Sequence, residues 1–188
     1  MSSVTAAETY RWSADEYQKL GETGFFHEDD RVELLNGDII IMAPIGIRHI
    51  KAIRRLIRVM MRKYGERCVV DAQNPVMIDG HSVPQPDLLL LRASADTRDT
   101  LPIPEDVLLL VEVADSSLAY DLRDKRKAYA RTGIPEYWIL DLTQNQMYVF
   151  RDPSADGYRA EKIVSASESI APLAFPDEPV ALSELLPP

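Results

Sequence analysis

Apolar positions recur along the chain in two ways, at helical spacing of three and four residues and in short unbroken runs. These are the signatures of amphipathic helices and buried strands. Ser13-Ala14-Asp15-Glu16 matches a capping box and predicts a short helix to about Leu20, stopped near Gly21, while residues 1–11 are expected to be loosely attached. An acidic loop over 24–31 leads into two apolar runs, 32–35 and 38–42, which flank Asn36-Gly37 and predict a hairpin. The clearest helix runs from Ile47 to Tyr64, with Ile50, Ile53, Leu56, Ile57, Met60, Met61 and Tyr64 on one broad face. CVVDAQ (68–73) and 75–78 read as strands, turned by Asp79-Gly80 toward Pro86-Asp87 and the run 88–91. A polar loop over 93–106 precedes VLLLVEVA (107–114), which reads as a buried strand. A helix is predicted over 121–132, with Leu122, Arg126 and Tyr129 on one face and Gly133-Ile134-Pro135 as its stop. Strands at 137–140 and 147–150 follow, joined by a turn at Thr143-Gln144-Asn145. Strand signals then continue to about Ile163, with a short helix near Leu182. This order predicts an α/β fold with a central mixed β-sheet flanked by helices. It also predicts a single domain over 1–188, with a core at about 12–150 and a C-terminal extension at 151–188.

Composition narrows the picture. The chain of 188 residues is 46% hydrophobic, enough for a sizeable core, and carries a formal net charge of -9, which counts against a nucleic-acid partner. The distribution of charge points the other way. Arg48, Lys51, Arg55, Arg58 and Arg62 fall on the polar side of the 47–64 helix, joined by Arg54 and Lys63, and no acid occurs between Asp38 and Glu66. Such a stripe is either a solvated face on an acidic protein or a phosphate-contacting surface for DNA. The single cysteine, Cys68, excludes an internal disulfide. Neither a signal peptide nor an apolar run of membrane-spanning length is present, so the expectation is a cytoplasmic protein with no membrane contact.

Candidate chemistry centres on Glu112. An ionised carboxylate inside VLLLVEVA is expensive unless it is paired, hydrogen-bonded or bound to a metal. Asp87 opens the earlier apolar run, Glu33 lies on the hairpin, and Asp121 and Lys125 stand one helical turn apart just downstream. Asp87 and Glu112, with a strand carbonyl and waters, would suit a hard cation such as Mg²⁺ or Mn²⁺, and a nearby ammonium would complete a phosphodiester-hydrolysing site. Plainer readings stand beside this one. Glu112 and Lys125 could form a structural ion pair, Glu33 an exposed strand residue, His49 a satisfied core histidine, and Tyr129, Tyr137 and Trp138 simple core. No Gly-rich phosphate loop follows any strand, which counts against a nucleotide-binding protein.

Pro86-Asp87 followed by Glu112-Val113-Ala114 resembles the PD-(D/E)XK nuclease signature, with Ala114 where its lysine belongs. The wider series is more particular: VELLNGDIIIMAP and then His49, PDLLLL, LLLVEVADSS, Asp121-Leu122-Arg123-Asp124-Lys125 and YARTGIPEYWILD. It resembles the Uma-type family of restriction-endonuclease-like proteins, a branch of that superfamily, over roughly residues 12–150. The resemblance implies a restriction-endonuclease-like core, metal-dependent DNA cleavage, and Glu33, Asp87, Glu112 and Lys125 as the site, with the lysine supplied from the helix after the Glu112 strand. Cutting both strands of a duplex is simplest with two sites, which makes a homodimer an expectation. The alternative is a non-catalytic module of the same fold that binds nucleic acid or protein.

Overall fold

The computed structural model describes residues 9–27 and 29–187. Its centre is a six-stranded sheet in the order β3-β4-β5-β6-β7-β8, made of β3 (Val69–Asp71), β4 (Leu88–Leu91), β5 (Val107–Ala114), β6 (Glu136–Asp141), β7 (Gln146–Ser154) and β8 (Gly157–Ser165). All neighbours are antiparallel except β5 and β6, which run parallel. A parallel pair needs a crossover, and the helical segment 118–131 supplies it. The hairpin of β1 (Val32–Leu35) and β2 (Asp38–Ile41) forms a separate two-stranded sheet, and β9 (Ser169–Ile170) pairs with β10 (Val180–Ala181) in a third.

The two faces of the central sheet follow from strand alternation. On β5, Leu109, Val111 and Val113 join the apolar cluster beneath α2 (Ile47–Tyr64), while Leu110 and Ala114 join the cluster on the opposite face. Glu112 therefore points to the second face, toward the crossover helix. The α2 side is completed by the C-terminal segment, whose Val180, Leu182 and Leu185 are fully buried in the same cluster as Ala52, Leu56 and Met60. Tyr64 stacks on Phe175 at 4.8 Å. Residues 151–187 thus contribute the end of β7, all of β8 and much of the cover over α2.

Several boundaries differ from the sequence expectation. Residues 75–78 form no strand; the chain there is held by single backbone bonds, such as Val76 N–H to the Pro84 carbonyl, because no neighbouring strand runs alongside it. Met61 is 50% exposed, and the buried face of α2 carries Ala52 and Val59 instead. The capping box at Ser13 and Glu16 forms as predicted, at the start of α1 (Ala14–Glu22). The expectation of a loose terminus lies outside the described residues for 1–8. Arg11 is held, its guanidinium reaching Asp38 and the Asn36 carbonyl. At the hairpin turn Asn36 and Gly37 both take positive φ, and a Cβ on Gly37 would sit 2.8 Å from that of Arg11, so glycine is required to close the strand that carries Glu33.

Candidate active site

Register brings the first two acids together. Leu88 pairs with Val111 across the antiparallel β4–β5 ladder, so one step further sets Asp87 beside Glu112. Asp87 lies just before β4, and one of its oxygens accepts the Val113 backbone N–H at 2.8 Å. The other meets His49 Nε2 at 3.0 Å. Glu112 is 3% exposed, and its Oε1 accepts from Lys125 Nζ and from the Tyr129 hydroxyl, each at 2.9 Å. Among the described residues no hydrogen bond engages its Oε2, which is not sealed off, and Glu112 borders a cavity of about 180 Å³. Asp87, His49, Asp121 and Lys125 border the same cavity.

Lys125 reaches this wall because of how its helix is wound. The crossover begins as α3 (Leu118–Tyr120), passes through a π turn at Asp121–Lys125, where the Arg126 N–H donates to the Asp121 carbonyl five residues back, and ends as α4 (Arg126–Arg131). The wider turn lays both Asp121 and Lys125 against the sheet, 2% and 1% exposed, while Lys127 is left in solvent. Lys125 Nζ also lies 3.1 Å from Glu33 Oε2 and 5.7 Å over the Tyr120 ring. The Tyr120 hydroxyl donates to Glu33 Oε1 and the Gln85 N–H to Glu33 Oε2, both at 3.1 Å.

Glu33 itself does not border the cavity. It is fully buried behind Lys125, so its place in the arrangement is to hold the ammonium, not to meet a ligand. The structure thus joins Glu33, Glu112 and Lys125 by direct contacts and sets Asp87 on the shared cavity. Sequence reasoning passed over Tyr120 and Tyr129 as site residues. The signal for Tyr129 was its position four residues after Lys125, on the same helical face.

Asp87, Glu112, Asp121 and Glu33 gather around Lys125 and His49, and Asp115 and Arg31 also border the cavity. Burial pushes the Glu112 carboxyl well up from its ordinary range, Lys125 pulls it down, and the charges of Asp87, Asp121 and Glu33 push it up again. Asp121 is raised to about 6, by burial first, against the opposing pull of Lys125 and the Ser117 hydroxyl. For Lys125 burial disfavours the ammonium, but Glu112, Glu33 and Asp121 outweigh it and keep its pKa above the usual value. Burial likewise disfavours a charged His49, and the hydrogen bond to Asp87 together with the charge of that carboxylate outweighs it, so its pKa is raised. Burial among other carboxylates thus favours the protonated forms of Glu112 and Asp121, and a cation would displace those protons.

No group of three or more His, Cys, Asp or Glu side chains among the described residues is arranged to hold a metal ion. Two carboxylates on one cavity, one with an oxygen open to it, still suit a hard cation that keeps most of its waters.

The basic stripe of α2 divides. Arg48, Lys51 and Arg58 are exposed, Arg48 reaching Asn145 Oδ1 at 3.2 Å. Arg55 and Arg62 are taken up by α5 (Leu182–Leu185), donating to the Glu184 carbonyl at 3.0 Å and to its carboxylate at 2.5 Å. Those two residues are engaged within the protein, so the predicted stripe is not continuous.

Residues 14–182 match the Uma2 family, described as "Putative restriction endonuclease". The chain belongs to the Uma2 family. A solved structure from Anabaena variabilis ATCC 29413, given as "a putative nuclease belonging to DUF820", superposes with a TM-score of 0.73 at 14% identity. The match covers 93% of this chain and 97% of that one. At that identity the likeness establishes the shared fold, which is the restriction-endonuclease-like α/β architecture expected for a Uma2 chain. No curated protein matches the sequence.

Proposed function

We propose that this chain is a divalent-metal-dependent nuclease that hydrolyses phosphodiester bonds in DNA. One observation carries the reading: a buried lysine, Lys125, is pinned between Glu112 and Glu33 at the wall of a cavity that Asp87 also borders. Asp87 and Glu112 would hold Mg²⁺ or Mn²⁺, which when bound supplies positive charge against the phosphoryl oxygens and a water of lowered pKa. Lys125 stays protonated because the surrounding carboxylates outweigh its burial. It therefore acts as a donor, stabilising the charge that develops on the phosphoryl group. Glu33 and Tyr120 position that ammonium from behind, and Tyr129 orients the Glu112 carboxylate. Arg48, Lys51 and Arg58, exposed on α2, would add non-specific attraction for the DNA backbone, with Arg55 and Arg62 contributing only as far as Glu184 releases them. A homodimer would present two such sites.

A non-catalytic binding module of the same fold is favoured by the net charge of -9 and by the lack of a three-side-chain metal grouping among the described residues. One experiment separates the two. Supercoiled and single-stranded DNA are incubated with the protein in Mg²⁺, in Mn²⁺ and in chelator. Cleavage that needs the metal and disappears in Lys125→Ala supports the nuclease; no cleavage under any condition leaves the binding module.

A further inference from the structure

Asp87 borders two depressions. One is the carboxylate cavity; the other, of about 310 Å³, is lined by Arg31, Ile45, Gln73 and Gln85. Arg31 also borders both. Its guanidinium donates to the Ala43 carbonyl at 2.7 Å through one nitrogen, and no carboxylate among the described residues lies within ion-pair distance of it. The result is a two-part trough with an acidic half, a polar amide half, and a half-buried cation astride the divide.

Backbone strain marks the amide half independently. Among the described residues, four that are not glycine take positive φ. Asn36, Asn145 and Asp152 are of the types that tolerate this conformation. Gln73, at φ 57, is not, yet it is held there by its N–H bond to the Asp87 carbonyl and by the Gln85 amide on its own carbonyl. Its side-chain amide makes no hydrogen bond among the described residues, and Gln73 is one of the residues that line the trough. Strain kept at a residue whose free amide lines a pocket beside a candidate active site points to use.

We infer that this trough is a binding site for a single strand of DNA running across Asp87, with Arg31 gripping the phosphate next to the one under attack and the amides of Gln73 and Gln85 receiving the adjoining nucleotide. The inference rests on the nuclease reading of the carboxylate cavity and adds its substrate form. The chemistry of the amide half favours one strand. The acidic half, about 180 Å³, has room for a phosphate, and the amide half, about 310 Å³, for one base. An arginine with free donors suits a phosphate, and glutamine amides suit the exposed edges of an unpaired base.

The test is anisotropy binding of a fluorescein-labelled oligothymidylate and of the same label on a hairpin duplex, in Ca²⁺, with cleavage in Mg²⁺ followed in parallel. Wild type should bind the single strand about tenfold more tightly than the duplex. Arg31→Gln, which keeps a donor for the Ala43 carbonyl but no charge, should lose about tenfold in single-strand affinity, while Arg159→Ala, at an exposed arginine of β8 that borders neither half of the trough, should stay within about twofold. Gln73→Gly should raise the melting temperature by relieving the strained φ and still weaken single-strand binding several-fold, a combination that a purely structural role would not give. Wild-type affinity in both Arg31→Gln and Gln73→Gly, or equal affinity for strand and duplex, overturns the trough even if the protein cuts DNA. Absence of both binding and cleavage would remove the nuclease reading with it.

Discussion

Two buried glutamates sit on neighbouring strands, and their surroundings differ in one respect. Glu136, at the start of β6, is fully buried; its Oε1 accepts from Trp138 Nε1 at 2.8 Å and from Arg151 Nε at 2.7 Å, and its Oε2 accepts the Leu173 N–H at 2.6 Å. Both oxygens are spent inside the protein, and Arg151 goes on to the Ala171 carbonyl, so this cluster fastens the C-terminal segment to the sheet. Glu112, on β5, spends one oxygen on Lys125 and Tyr129 and keeps the other toward a cavity. Burial raises both carboxyls. Burial and a raised pKa therefore do not distinguish a fastening from a site; an oxygen left over for a ligand does.

The comparison can be broken most directly at the two basic partners. Lys125→Ala should lower DNA cleavage by at least about 10²–10³-fold beyond the destabilisation expected from unpairing Glu112 and Glu33, the rate being read on protein shown folded by circular dichroism, and Lys127→Ala should leave the rate within about twofold. Equal losses in the two variants would mean that the lysine has been wrongly assigned. Arg151→Met, by contrast, should leave cleavage of the folded protein unchanged but lower stability by about 3 kcal/mol in urea titration, because it strips a buried carboxylate of its cation. An Arg151→Met protein as stable as wild type would make the second cluster ornamental.

Asp121 sharpens the contrast through pH. Its folded pKa of about 6 lies above the usual carboxyl value, so the folded state binds a proton more tightly than the unfolded chain does. Stability from this group is thus present at low pH and lost as pH rises from about 4 to about 6. The loss amounts to at most about 3 kcal/mol. Asp121→Asn should flatten that part of the stability–pH curve and raise stability at neutral pH, as read by denaturant midpoints; an unchanged curve would contradict the assignment. The smallest effect expected is a rise of a few degrees in melting temperature on adding Mg²⁺ or Mn²⁺, through relief of carboxylate repulsion. Asp87→Asn should abolish it, and Arg151→Met should not.

Much of this arrangement was legible in the sequence because it depends on local pattern. The strand period put Glu112 on the face opposite Val111 and Val113, the capping box and Asn36-Gly37 set the entry to the hairpin, and Gly133-Ile134-Pro135 closed the crossover helix. What escaped depends on long-range partners. Residues 75–78 have strand-like composition but no neighbouring strand to pair with. The C-terminal segment shows only weak strand signals and a short helix near Leu182, yet its apolar residues, Val180, Leu182 and Leu185 among them, find α2, and in docking they bring Glu184 onto Arg55 and Arg62. That Glu33 would stand behind Lys125, facing no cavity, could not be read from its place on a hairpin.

The π turn at 121–125 has a mechanical consequence. A regular helix has one rotational phase, so fixing Tyr129 against Glu112 would also dictate where Tyr120 and Asp121 point. One surplus residue in the winding breaks that coupling and lets the two ends be indexed separately: Tyr120 to Glu33 on the hairpin, Lys125 and Tyr129 to Glu112 on β5. Deleting a single residue there would turn one end by about 100° relative to the other, so the segment should tolerate substitution far better than shortening.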